Sequence, residues 1–77
     1  MDHKETILQF FQEKGKGAGL QYDTDLFGGG FVNSLFAFEI VVFLEKKFQV
    51  KIKSREINQD NFRSIDSIAA LIERLKG

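Results

Sequence analysis

The stretch NSLFAFEIVVFLEKKF, residues 33–48, predicts the longest helix of the chain. Asn33 is a favoured helix N-cap, and Lys46 and Lys47 suit the negative end of a helix dipole. We therefore expect a helix over 34–48. At about 100° per residue, one side of this helix is apolar, and its core stripe consists of Ala37, Ile40, Val41, Leu44 and Phe48.

This helix carries more apolar side chains than one core stripe needs. Leu35, Phe36, Val42 and Phe43 fall largely outside the stripe, among charged residues. A helix that is apolar nearly all round is either buried on every side or has a binding face. Both alternatives stay open for Phe43. Phe36 lies at the exposed start of the helix and is expected to belong to a binding face.

A shorter helix and a long loop precede the central helix. The helix is predicted from about His3 to Lys14, with Asp2 and Glu5 as a capping box and Gly15 as its stop. Residues 15–33 contain six of the seven glycines. They are nevertheless too apolar for a free linker, so we expect the apolar side chains to lie against the helices. These side chains are Leu20, Tyr22, Leu26, Phe27, Phe31 and Val32.

The remainder of the chain completes a helical bundle. Residues 50–53 are expected to be extended, residues 58–62 to form a short helical turn, and Ser64 to cap the last helix. The apolar residues of that helix follow helical spacing: Ile65, Ile68, Ala69, Leu71, Ile72 and Leu75. The sequence therefore predicts an all-α fold, a small four-helix bundle of three main helices and one short helix. We expect one domain over residues 1–77, with a long loop after the first helix.

Composition and charge exclude several classes of function. The absence of cysteine excludes disulfides. The chain has a single histidine, His3, which disfavours a histidine-based catalytic triad or zinc cluster. Eleven basic and eleven acidic residues cancel, which disfavours nucleic acid or an anionic membrane as partner. No apolar run has the length of a membrane span, and no signal peptide is recognisable. We expect a soluble, cytoplasmic monomer without a metal site.

Ser34 opens the central helix directly after the glycine-rich loop. A helix start offers free N–H groups and a positive dipole end, which favour an attached or bound phosphate. On these residues alone, an ordinary cap pair of Asn33 and Ser34 is the simpler interpretation. No neighbouring base activates the hydroxyl, so Ser34 is a better acceptor of a group attached by another enzyme than a catalytic nucleophile.

Three other patterns favour ordinary surface structure. GKGAG (15–19) and GGG (28–30) lack the Lys-Ser/Thr of a P-loop and are interpreted as connectors. Asp23, Asp25 and Glu39 lack the spacing of an EF-hand and are interpreted as solvated charges. A local basic run lacks interleaved aromatic residues and is interpreted as a solvated face. It consists of Lys46, Lys47, Lys51, Lys53 and Arg55.

The central segment resembles the phosphopantetheine attachment region of acyl and peptidyl carrier proteins. GFVNSL (30–35) is similar to the family's glycine, short spacer and Asp-Ser-Leu, and LEKKF (44–48) is similar to its Leu-Glu-x-x-Phe. The opening helix, the apolar loop and NFRSI (61–65) before the last helix also follow the family order, so the resemblance extends over essentially the whole chain. With this resemblance, an attachment site becomes the better interpretation of Ser34 than an ordinary cap pair.

The resemblance implies a carrier that is not an enzyme. Ser34 would receive 4′-phosphopantetheine from coenzyme A through a separate Mg²⁺-dependent phosphopantetheinyl transferase, with Asn33 in a supporting position. The thiol of this arm would hold an acyl or aminoacyl unit as a thioester. Further implied partners are an acyl- or aminoacyl-loading enzyme and synthase, ketosynthase or acyltransferase domains. The positions that meet partner enzymes in the family are Leu35, Phe36, Glu39, Val42 and Glu45.

Two departures from the family pattern affect these expectations. Asn33 replaces the family's aspartate, whose carboxylate helps to bind metal during modification, so slower priming or a dedicated transferase is expected. The chain is also neutral, whereas many carriers are acidic along the second helix. NSLFA (33–37) looks most like discrete carriers of polyketide and mixed polyketide–nonribosomal peptide pathways, including antibiotic biosynthesis. The predicted function is a stand-alone acyl carrier protein. The alternative is an unmodified helical interaction module that uses the surface of the second helix.

Overall fold

The computed structural model describes residues 3–76, and all regular structure within them is helical. Helix α1 spans His3–Glu13, α2 spans Ser34–Phe48 and α3 spans Ile65–Lys76. A single 3₁₀ turn, Ser54–Glu56, lies between α2 and α3. The predicted all-α bundle of three main helices and one short helix is confirmed, as is the long loop after the first helix.

The core is one contiguous cluster of apolar side chains from all three helices. Helix α1 contributes Ile7 and Phe11, which are fully buried, and α2 contributes Ile40 and Leu44. Helix α1 packs against α3, and two polar contacts of 3.0 Å join them: His3 Nδ1 meets the Glu73 carboxylate, and Lys4 forms an ion pair with Asp66. Within residues 3–76, no helix is long and apolar enough to cross a membrane.

The long loop is fastened to the start of α3 by backbone hydrogen bonds. The Leu26 N–H donates to the Arg63 carbonyl at 2.7 Å, and the Asp66 N–H donates to the Tyr22 carbonyl at 3.0 Å. The predicted apolar residues of the loop do lie against the helices: Leu20, Leu26 and Val32 are buried, and Tyr22, Phe27 and Phe31 are half-buried. Burial of these side chains holds a glycine-rich segment in a defined path that delivers the chain to the start of α2.

The helix ends agree closely with the sequence patterns. Gly15 adopts φ +74° after α1, which ends at Glu13, one residue earlier than predicted. The Ser64 Oγ accepts a hydrogen bond from the Ser67 N–H at 3.1 Å, which confirms the predicted cap of α3. The predicted cap of α1 by Asp2 lies outside the described residues.

The connection between α2 and α3 contains a 3₁₀ turn that was not predicted, Ser54–Glu56. The short helical turn was predicted after it, at residues 58–62. The Asn58 side chain accepts a hydrogen bond from the Asn61 N–H at 2.8 Å and donates one to the Arg55 carbonyl at 3.0 Å. The Phe62 N–H donates to the Asn58 carbonyl at 3.1 Å, which is the hydrogen bond of one helical turn. Residues 58–62 therefore form the predicted single turn, and the Asn58 side chain caps it.

Candidate functional site

Ser34 is the first residue of α2 and is exposed to solvent. Asn33 precedes it in an extended conformation, and its Oδ1 accepts a hydrogen bond from the Phe36 N–H at 2.8 Å. The Asn33 carbonyl accepts the next one, from Ala37 N–H at 2.9 Å. The predicted N-cap is confirmed. Because Asn33 satisfies the backbone of this first turn, the Ser34 side chain is not needed as a cap, and within residues 3–76 its hydroxyl has no hydrogen-bond partner.

A groove of about 280 Å³ begins at Ser34. The turns at residues 57–62 form its far wall, and the first turns of α2 form the near wall. Its lining is apolar and amide in character: Phe27, Ala37, Phe38, Ile57, Asn58, Gln59 and Phe62. None of these side chains titrates, so the groove brings no acid or base of this chain to the Ser34 hydroxyl.

An exposed apolar stripe follows Ser34 along α2. Leu35, Phe38 and Val42 have relative exposures of 77%, 59% and 51%, and their spacing of three and four residues places them on one face. We call these three residues the apolar stripe. The positions of Leu35 and Val42 agree with the prediction of a binding face. Phe38 was missed, although its place between them in the helical spacing could have identified it.

The structure corrects the prediction for Phe36, because this side chain belongs to the core. It is only 4% exposed, and its ring stacks on Phe10 with centroids 5.9 Å apart and meets the edge of Phe11 at 5.5 Å. The Lys16 ammonium lies 5.0 Å from its ring centroid. The expectation that Phe36 faces outward was wrong, because the end of α1 and the residue after Gly15 cover this side of α2.

The other predicted positions on α2 have different environments. Glu39 is exposed beside the apolar stripe. Phe43 is half-buried and stacks on Phe10 with ring centroids 4.2 Å apart. Of the two alternatives for Phe43, core or binding face, the structure therefore favours the core. Glu45 is half-buried, and its Oε2 accepts a hydrogen bond from the Ile52 N–H at 2.9 Å. That carboxylate therefore fastens the chain after α2, a structural role that the sequence did not indicate.

The acidic residues of the long loop do not form a metal centre. Among residues 3–76, no three histidine or carboxylate side chains come together as potential metal ligands. The Asp25 Oδ1 instead accepts a hydrogen bond from the Gly28 N–H at 3.0 Å, which stabilises the turn before Gly30.

No family model matches the chain, but individual proteins do. A probable acyl carrier protein, PigG, from a Serratia species is 39% identical over 62 residues, which cover 80% of this chain and 71% of that protein. The D-alanyl carrier protein of Leuconostoc mesenteroides is 31% identical over 78 residues, with all of both chains covered. A D-alanyl carrier protein of Streptococcus pyogenes is 29% identical over 77 residues, which cover 99% of this chain and 98% of that protein.

Proposed function

The chain belongs to the carrier protein family, and from that premise we propose that Ser34 is the residue to which a 4′-phosphopantetheine arm is attached. The observation that carries the proposal is the position of the hydroxyl. It is exposed, without a hydrogen-bond partner in the described residues, and lies at the first residue of a helix whose cap is supplied by Asn33. A visiting enzyme can reach such a hydroxyl without disturbing the core.

The surroundings of Ser34 support an acceptor and not a catalyst. A serine hydroxyl needs a neighbouring base to act as a nucleophile at neutral pH, and the groove beside it is lined by apolar and amide side chains only. The base must therefore come from the modifying enzyme. The positive end of the α2 dipole favours a phosphate ester at this position once it has formed.

The proposed modification is a phosphoryl transfer carried out by a separate transferase. The Ser34 Oγ forms a bond to the phosphorus on the pantetheine side of coenzyme A, and the pyrophosphate bond breaks. Adenosine bisphosphate leaves, and the hydroxyl proton passes to a base of the transferase. Mg²⁺ belongs to the transferase, where it would neutralise the phosphate charge.

The residues around Ser34 fit the chemistry of such an arm. The arm contains amide groups and a terminal thiol, and when attached it supplies that thiol to hold an acyl or aminoacyl unit as a thioester. The side-chain amide of Gln59 can hydrogen-bond the amides of the arm, and the exposed ring of Phe38 offers apolar contact. These residues would hold the arm against the protein between visits to partner enzymes.

The partner surface proposed here differs from the one expected from sequence. Leu35, Glu39 and Val42 are retained, Phe38 is added, and Phe36 is removed because it is buried. Glu45 remains a proposed contact only through the part of its side chain not engaged by Ile52. We propose that the transferase, the loading enzyme and the synthase-type enzymes visit this face in the cytoplasm.

The cargo proposal covers small acyl and aminoacyl units. The relatives include both an acyl carrier protein and D-alanyl carrier proteins. A polyketide or mixed polyketide–nonribosomal peptide pathway remains a proposal that rests on the resemblance of NSLFA (33–37) to carriers of those pathways.

The test is intact-mass measurement after incubation with coenzyme A, Mg²⁺ and a broad-range phosphopantetheinyl transferase. Wild-type protein should gain the mass of one phosphopantetheine, and Ser34→Ala should gain none. Ser54→Ala is the matched control, because Ser54 is also an exposed serine at the first residue of a helical turn. It should gain the same mass as wild type. If the wild-type mass stays unchanged with several different transferases, each of which modifies another carrier in the same tube, the unmodified interaction module becomes the better interpretation.

A further inference from the structure

Exposed basic side chains flank the face of α2 that carries Ser34. They come from three segments: Lys14 after α1, Lys46 in the last turn of α2, and Lys51, Lys53 and Arg55 in the connection to α3. We call these five residues the cationic rim. The carboxylates nearest to them along α2 are those of Glu39 and Glu45, and the Glu45 carboxylate already accepts a hydrogen bond from the backbone.

Three of these cations lie along one flank of α2, because the chain after α2 runs back beside the helix. The Ile52 N–H is bonded to Glu45 at 2.9 Å, and the segment 57–59 shares the groove with Ser34 and Phe38. The eleven steps from Ser34 to Glu45 span about 16 Å of helix axis, so the segment 52–57 covers that length. Ile52 is buried, and its neighbours Lys51 and Lys53 are exposed to solvent.

Lys14 marks the opposite flank. It lines a shallow hollow of about 420 Å³ together with Phe10, Glu39, Phe43 and the apolar stripe. Its ammonium lies 5.6 Å from the centroid of the Phe10 ring. The apolar stripe therefore has basic side chains on both sides, and Lys46 lies at its far end.

The cationic rim has no acidic partners within residues 3–76. The ion pair there joins Lys4 to Asp66, and His3 meets Glu73, both between α1 and α3. The whole chain has equal numbers of acidic and basic residues. A face with five cations that form no ion pair is therefore a local separation of charge, and it creates a positive potential around an exposed apolar centre.

We infer that this face is covered by a protein partner whose contact surface has an apolar centre flanked by carboxylates. The inference rests on the proposed function, because a carrier must present the Ser34 face to other proteins. Nucleic acid offers no apolar complement for Leu35 and Val42, which are exposed aliphatic side chains. An interfacial membrane anchor needs a broad apolar helix face, whereas the apolar residues of α2 outside the apolar stripe are buried or half-buried in the core.

Two synthetic amphipathic helical peptides with identical leucine faces test the inference, one flanked by glutamates and the other by lysines. Binding to the unprimed, ¹⁵N-labelled protein is followed by amide shifts. The glutamate peptide should shift the amides of Leu35, Val42 and Lys46 and should bind about tenfold more tightly than the lysine peptide at low salt. The difference should shrink as NaCl is raised, because salt screens exposed charges.

Charge reversal supplies the matched variants. Lys46→Glu should weaken binding of the glutamate peptide severalfold, and Lys46→Glu combined with Lys51→Glu and Lys53→Glu should reverse the preference between the peptides. Lys47→Glu is the control, because Lys47 is also an exposed lysine in the last turn of α2 but lies about 100° round the helix from Lys46. It should leave both affinities unchanged.

Several outcomes would overturn the inference. These are equal binding of the two peptides, an equal effect of Lys47→Glu and Lys46→Glu, or shifts confined to another face. Tighter binding to phosphatidylglycerol vesicles or to duplex DNA than to the glutamate peptide would assign the face to a membrane or to nucleic acid. Because the unprimed protein is used, these results are independent of whether Ser34 accepts a phosphopantetheine group.

Discussion

Phe36 and Leu35 are adjacent bulky residues of α2 whose replacement by alanine should have opposite consequences. Phe36 is 4% exposed and contacts two phenylalanine rings, whereas Leu35 is 77% exposed. Replacing a buried phenylalanine by alanine costs about 3–5 kcal/mol of unfolding free energy, because apolar contacts are lost and a cavity remains. Replacing an exposed leucine changes the unfolding free energy by about 0.5 kcal/mol or less.

The loss at Phe36 is large relative to the stability of so small a chain. A protein of 77 residues has an unfolding free energy of about 4–12 kcal/mol. Phe36→Ala should therefore remove about a quarter or more of it and lower Tm by about 12 °C or more, while Leu35→Ala should lower Tm by less than about 4 °C. Phe36→Glu, which would place a charge in the same site, should prevent folding.

Urea unfolding followed by circular dichroism measures both variants under one set of conditions. Should Phe36→Ala prove too unstable to fold, Phe36→Leu preserves most of the volume and should cost about 1.5 kcal/mol or less. A loss below about 1 kcal/mol for Phe36→Ala would refute the buried position of this ring. A loss at Leu35→Ala as large as that at Phe36→Ala would refute the assignment of the apolar stripe to the surface.

Substitutions at three further positions test separate features of the fold and site. Asn33→Asp should keep the cap and leave Tm within a few degrees, while raising the rate of priming by a broad-range transferase. Asn33→Ala should cost about 1 kcal/mol in thermal unfolding, and equal losses for both variants would contradict the cap. Glu45→Ala removes the acceptor of the Ile52 N–H and should cost about 1–3 kcal/mol in urea unfolding. Glu45→Gln keeps an oxygen acceptor and should recover most of that loss, and no recovery would assign the effect to something other than this bond. Gly30→Ala should cost about 1–2 kcal/mol, because φ is +79° there although no atom blocks a Cβ. An unchanged Tm for Gly30→Ala would contradict the left-handed conformation at this turn.

Local sequence patterns predict the helices and the cap because both depend on neighbouring residues. The Asn33 side chain accepts a hydrogen bond from the N–H of Phe36, which is only three residues later in the sequence. The apolar loop residues were also predicted to be buried, because apolar side chains favour the protein interior over water. These features need no knowledge of how the helices are arranged in space.

The errors concern contacts between segments that are distant in sequence or separated by a turn. Phe36 and Phe38 are both phenylalanines outside the core stripe, and a helical wheel of α2 cannot decide which of them α1 covers. The arrangement of α1 buries Phe36 and leaves Phe38 exposed. Similarly, Glu45 meets Ile52 because Gln49 ends α2 in a left-handed conformation with φ 54°, without the glycine that usually marks such an end.

The distribution of charge also depends on the path of the chain. The basic run of residues 46–55 is visible in the sequence and was interpreted as a solvated face. The structure places Lys51 and Lys53 along the same helix that carries Ser34 and leaves them without ion pairs in the described residues. The combination of this flank with Lys14, more than thirty residues earlier, could not be read from local spacing.

Peptide mapping of the protein isolated from its host cells tests the central claim most directly. Trypsin cuts after Lys16 and Lys46, and the peptide 17–46 between them contains Ser34 as its single serine. We predict that this peptide carries one phosphopantetheine, with or without an acyl or aminoacyl group, and that fragmentation assigns it to Ser34. Complete recovery of an unmodified peptide 17–46, or a phosphopantetheine on any other residue, would contradict the account.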